Sequence, residues 1–254
     1  MEYFVAQGSV VREIWGKADT VLFIFAGAAA EFALNKAVDW LYFTGKLPAD
    51  PLARLFSTVD YARQIVFAER AAAERAIDTI AAIHGAVEAK RGMAIPAWAY
   101  RDVLFLLIDY SIRAFEALER PLTTPEKEEV FQVFCQVGQR MGVPDLPTSH
   151  AAWLVVRQQH LDQNLIHSHY TTDLYRQYRR HLGALRYSLL LQAQRLVVPA
   201  RVRQLLKLGR HTWLPLLLPF YRRTQHLAVN KWAKVGLLPT EYKDRILALD
   251  YRPS

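Results

Sequence analysis

Hydrophobic positions along this chain recur every three or four residues for almost its whole length, the period of a helix face rather than of a strand. A first helix is predicted over roughly residues 2–15 and a second, buried one over 19–43. The second contains an unbroken apolar run, Val21 to Ala30, followed at once by Glu31, Asn35, Lys36 and Asp39. That run suits a core helix, because a membrane span needs about 20 apolar residues. Gly45 to Asp50 then reads as a turn.

Beyond the turn, Leu52, Leu55, Phe56, Val59 and Val66 form one side of a helix. Arg54 and Thr58, four residues apart, stack one turn above the other on its opposite side. The next helix, Glu69 to Lys90, carries the apolar stripe Ala73, Ile77, Ile80, Ala81 and Val87, with His84 in its middle. Gly92 to Pro96 breaks it, and residues 98–118 form an apolar helix in which Ser111 is a candidate polar contact to a pocket. Thr123, Thr124, Pro125 and Glu126 make a capping box with Pro in the first turn, a strong helix start. That helix is predicted to end at Gly142, with Pro144 and Pro147 in the connector and Thr148 or Ser149 capping a helix to about residue 170. Strand-like alternation, internal repeats and low-complexity tracts are all missing. The expectation is an all-α fold, one domain over residues 1–254.

At 254 residues the chain can bury a substantial core, and its 52% hydrophobic content excludes disorder. A single cysteine, Cys135 on an apolar helix, rules out an internal disulfide and reads as core. The start, Met1-Glu2-Tyr3-Phe4, lacks the basic region and cleavage pattern of a signal peptide, so a cytoplasmic protein is expected.

Charge is placed unevenly. Residues 174–240 hold 13 Lys and Arg, and all 24 acidic residues lie outside that stretch. Within it, Thr212 to Tyr221 is short, apolar and proline-rich, with Trp213 and Phe220 inside and Arg210, His211, Arg222 and Arg223 at its ends. Such a segment suits the plane of a membrane interface, giving a peripheral membrane surface as an expected partner. The other reading is a helix pair with a solvated basic face. Nucleic acid is not an expected partner, because no reader motif accompanies the charge.

On chemistry alone, His84 is either a core histidine bonded to a carbonyl or a metal ligand with small neighbours that leave room for something flat and large. His160, His167 and His169 form the densest histidine group, but no carboxylate sits at ligand spacing. Phosphate loops, Ser-His-Asp order and zinc signatures are absent from the sequence.

Arg54 and Thr58, the approach Asp50-Pro51-Leu52-Ala53, the segment Phe67-Ala68-Glu69, and His84 on the following helix together resemble the oxygenase family that contains latex-clearing protein (rubber oxygenase) and the mpaB-type oxygenases. Gly138 to Pro144 and Leu238-Pro239 are similar in spacing. The resemblance implies a haem b-dependent oxygenase that uses dioxygen on an apolar, isoprenoid or lipid-like substrate by oxidative attack on a C=C bond. It implies His84 as the iron ligand and Arg54 and Thr58 on the distal side. Since no Cys-x-x-Cys-His occurs, the haem is expected to be non-covalent. Where the rubber-cleaving branch has a Lys able to occupy the sixth iron position, this chain has Ser57, which implies an open position. The family's usual proline is missing from Phe32 to Ala37. That branch is thought to use a carboxylate base, and Glu31 and Asp39 are the candidates. A haem peroxidase or hydroxylase, and a membrane-associated helical binding protein without haem, stand as the alternatives.

Overall fold

A computed structural model of the chain describes residues 2–45, 50–209 and 211–224, and within them all side chains but those of residues 51–55, 217, 220, 222 and 224. Helices account for the regular structure there: α1 (Val10–Trp15), α2 (Ala18–Phe32), α3 (Val38–Phe43), α4 (Pro51–Phe67), α5 (Arg70–Arg91), α6 (Ala97–Leu118), α7 (Thr124–Arg140), α8 (His150–Gln163), α9 (His169–Val197), α10 (Ala200–Leu205) and α11 (Leu214–Thr224). Outside them the pairing is limited to isolated bridges, Tyr3 with Glu69 and Asn35 with Leu165. The all-α expectation holds.

The centre of the fold is the α2–α6 pair, with α1, α7 and α8 around it. Gly27 lets the two helices approach: a Cβ there would lie 2.2 Å from Cδ1 of Tyr110, a ring that is fully buried on α6. Trp15 closes one end, edge-on to Phe25 at 6.2 Å and donating its indole N–H to Ser111 Oγ at 3.2 Å. Ser111 therefore serves the core and does not face a pocket, contrary to expectation. Cys135 is buried in the same core, and burial pushes its thiol up to about 12, so it stays protonated and inert.

Three predicted helices are shorter than their periodicity suggests. The first begins only at Val10, because Ser9 caps it through Val11 N at 3.1 Å and Arg70 N bonds back to Glu2 O at 2.8 Å. The predicted helix over 19–43 is divided at residues 33–37 into α2 and α3. There Asn35 accepts from Ala37 N with its own side chain at 2.8 Å, while Lys36 N and Ile166 N exchange backbone bonds with Asn164 and Leu34. A side chain that satisfies nearby backbone in this way competes with helix continuation. The helix expected to reach residue 170 stops at Gln163, and Ser168 starts α9 with a capping box to Thr171. The capping box at Thr123 and the N-cap at Ser149 are where the sequence puts them. Within α9, Gly183 adopts φ 73° and ψ 171°, a non-helical break that a residue with a Cβ resists.

Candidate functional site

Helices α4 and α5 are joined through two residues, Ala68 and Glu69, and so run antiparallel as a hairpin. On α4, Phe56, Val59 and Val66 are buried, which confirms the apolar side read from the sequence for those residues. Leu52 and Leu55 lie outside the described side chains, as does Arg54, although all three belong to the helical run of α4. Ser57 and Thr58 are half-buried. Ser57 lines a cleft of about 550 Å³ between the two helices, shared with Asp60 and Gln64 of α4 and Ala72, Ala76 and Thr79 of α5. Arg54 stands 14 residues before Ala68 and His84 15 after Glu69, so in an antiparallel hairpin their backbones lie at a similar distance from the turn.

The α5 stripe is buried where it begins and open where it ends. Ala73 and Ile77 are fully buried, Ile80, Ala81 and His84 are half-buried, and Ala82, Ile83, Gly85, Ala86 and Ala89 are exposed. A Cβ placed on Gly85 would meet nothing within 4 Å, so the flank of His84 is open space. On its other side the imidazole meets the edge of Tyr100 from α6, with centroids 5.3 Å apart at 73°. Tyr100 donates its hydroxyl to Glu88 Oε1 at 3.1 Å, and Ile95 N donates to the same oxygen at 2.8 Å. Burial, then the bond to Glu88, push the Tyr100 phenol well above its ordinary pKa, so it remains a donor at physiological pH. Below His84, Val87 joins a small cluster with Ala37, Trp40, Trp98 and Ala99. Arg91 stacks over the Trp40 ring at 4.0 Å.

Both carboxylates considered as a base are held in ion pairs. Glu31 is 1% exposed and lies in the core. Its two oxygens accept from Arg157 Nη1 and Nη2 at 2.5 and 2.6 Å, and Oε2 also accepts from Tyr110 Oη at 2.9 Å. Arg157 bonds Asp109 as well, at 3.0 and 3.2 Å. Burial works against the charge of Arg157, but Glu31 and Asp109 more than offset it and hold its proton more tightly than usual. Asp39 is committed to Arg91 at 2.7 Å. A neighbouring buried group joins Asp102 to the amides of Asn35 (2.8 Å) and Asn164 (3.1 Å) and to Nδ1 of His160, which stacks on Phe105.

The histidine group does not converge. His160 serves Asp102, His169 packs on Tyr170, and among the described residues no three His, Cys, Asp or Glu side chains are grouped to hold a metal.

The sequence matches one family model, described as ER-bound oxygenase mpaB/B'/rubber oxygenase, catalytic domain, over residues 14–246. The chain belongs to this family. Neither a curated protein nor a solved structure matches it. Membership of the mpaB/rubber oxygenase family makes it an oxygenase at that level of description. The match includes α2 and α6 with their buried charges, as well as the α4–α5 hairpin.

Sequence reasoning missed the buried charge cluster of this chain. The signal was present: Asp102 and Asp109, seven apart, interrupt the apolar face of α6, and Arg157 and His160, three apart, share a face of α8. In an isolated reading each looks like a solvated residue. Only the packing of α2, α6 and α8 shows them buried and mutually paired. No described helix is long and apolar enough to cross a membrane.

Proposed function

We propose that this oxygenase binds haem b through His84 and acts with dioxygen on an apolar, isoprenoid or lipid-like substrate by oxidative attack on a C=C bond. The observation that carries the reading is the open second half of α5. A half-buried imidazole stands at the end of a buried stripe, flanked by alanines and by a glycine with free space around it. A single imidazole with small neighbours fits a large flat group that needs one protein ligand. Bound there, haem would supply dioxygen binding and electron transfer at iron, chemistry that side chains lack.

The chain's own residues then have separable tasks. His84 holds the cofactor, and Tyr100, held in turn by Glu88, restrains the imidazole edge-on. Arg54 supplies a permanently charged N–H donor from α4, and Thr58 one turn on supplies a hydroxyl. Donors fixed before reaction stabilise negative charge as it develops. Ser57 is a hydroxyl on the cleft side of α4, where it adds no strong nitrogen ligand. Ile83, exposed on α5, and the alanines around it offer an apolar surface to substrate. Glu31 keeps a structural task, holding α2 to α6 and α8.

The test is isotopic. Haem-loaded protein incubated with an oligo-isoprenoid alkene under ¹⁸O₂ should give products carrying ¹⁸O. Turnover that requires added hydrogen peroxide and leaves no ¹⁸O from dioxygen in the product overturns the oxygenase reading in favour of a peroxidase.

A further inference from the structure

The basic third of the chain ends, among the described residues, in α11, whose two sides differ in chemistry. Leu214, Leu218 and Tyr221 recur at i, i+4 and i+7 and are half-buried against the body, where α11 packs on α9. Tyr221 donates its hydroxyl to Asp19 at the start of α2, which pins the helix in place. The outward stripe is Trp213, Leu216, Pro219 and Arg223, all exposed, and Leu216 at 81% is the most exposed large apolar side chain described. A pinned helix that turns Trp and Leu outward is not a helix waiting to join the core. Cations bracket this apolar turn in the sequence, Lys207, Arg210 and His211 before it and Arg222 and Arg223 after it, and residues 174–240 contain no carboxylate. Exposed Arg179, Arg180, Lys207 and Arg223 make no ion pair among the described residues.

We infer that α11 is an interfacial anchor: Trp213 and Leu216 enter the headgroup region of an anionic bilayer while the flanking cations bind lipid phosphates and carboxylates. An outer stripe rich in apolar side chains favours insertion, and a one-signed surround favours anionic over neutral lipid. With Pro215 in its first turn, Pro219 near its middle and only 11 residues, the helix lies in the interface and does not cross it. A second copy of the chain is a poorer occupant, because it would bring the same positive field to the contact.

Co-sedimentation with sucrose-loaded vesicles tests this, with phosphatidylcholine alone or with about 30 mol% phosphatidylglycerol. Because it reads partition, not haem or turnover, its outcome is independent of the function proposed above. The wild-type chain should bind the anionic vesicles at low salt, lose at least about tenfold in partition near 0.5 M salt, and bind neutral vesicles weakly. Trp213→Ala with Leu216→Ser should lower partition at least about tenfold while leaving helicity and melting unchanged, since both side chains are exposed. Leu216→Trp should strengthen binding several-fold. No binding to anionic vesicles at low salt overturns the inference, as does binding that the double variant retains. A wild-type dimer that the double variant breaks also overturns it, by assigning the face to a second copy.

Discussion

Replacing Arg157 by Met keeps most of the side-chain volume while removing the donors that hold Glu31 and Asp109. The structure sets the scale of the loss. Arg157 is 4% exposed and makes four charge-assisted bonds, between 2.5 and 3.2 Å, to two carboxylates that are themselves buried. After the substitution Glu31 retains only the Tyr110 hydroxyl, and Asp109 retains Arg113 at the surface. Breaking such a buried pair from one side costs about 3–5 kcal/mol, because a charge is left desolvated without its partner. At about 2–4 °C per kcal/mol for a chain of this size, Tm should fall by roughly 6–20 °C. Differential scanning calorimetry at pH 7 measures it, and urea titration with an unchanged m-value confirms that stability alone moved. Adding Glu31→Gln and Asp109→Asn to Arg157→Met should recover part of the loss, since neutral amides are cheaper to bury than lone carboxylates. A fall of less than about 2 °C, or a triple variant no better than the single, would show that the cluster is not the tie between α2, α6 and α8 described here.

Gly27→Ala should destabilise by about 1–3 kcal/mol, because the new methyl meets the buried Tyr110 ring and not a flexible side-chain end; an unchanged melting curve refutes the close approach. The Glu126 carboxyl is held down to about 2, first by Arg120 and then by the Thr123 backbone and hydroxyl. Its contribution to folding is therefore present above the ordinary carboxylate range and is lost as pH falls from about 4.5 towards 2. Glu126→Gln should flatten the acid limb of a stability–pH profile, and an identical profile in the variant counts against Glu126 as its source. Arg54→Ala should keep haem binding but slow turnover by roughly 10²–10³, the usual cost of losing one donor to developing negative charge. Unchanged turnover removes Arg54 from the proposed site.

Helix type, the caps at Thr123 and Ser149 and the α4–α5 hairpin were readable because each depends on residues close in sequence. Helix ends at residues 33–37 were not, because Asn35 and Leu34 make their decisive bonds with residues 164–166, far along the chain. The partners of Glu31, Asp39 and Ser111 were not legible for the same reason. A carboxylate close in sequence to the Arg54 helix looked like a base, whereas its partner, Arg157, stands 126 residues away. Placing His84 on an apolar stripe needed only the helical period. That the stripe leaves the core there, with open space beside Gly85, is a tertiary fact that no period reveals.

Haem binding by His84 is the central claim, and a titration of the purified chain with hemin tests it most directly. The wild-type protein should develop a Soret band that saturates at one haem per chain. His84→Gly should lose that band or bind haem only weakly, and added imidazole, filling the space of the missing side chain, should restore it. A His84→Gly variant that binds haem with the wild-type spectrum and affinity, without imidazole, would contradict the account.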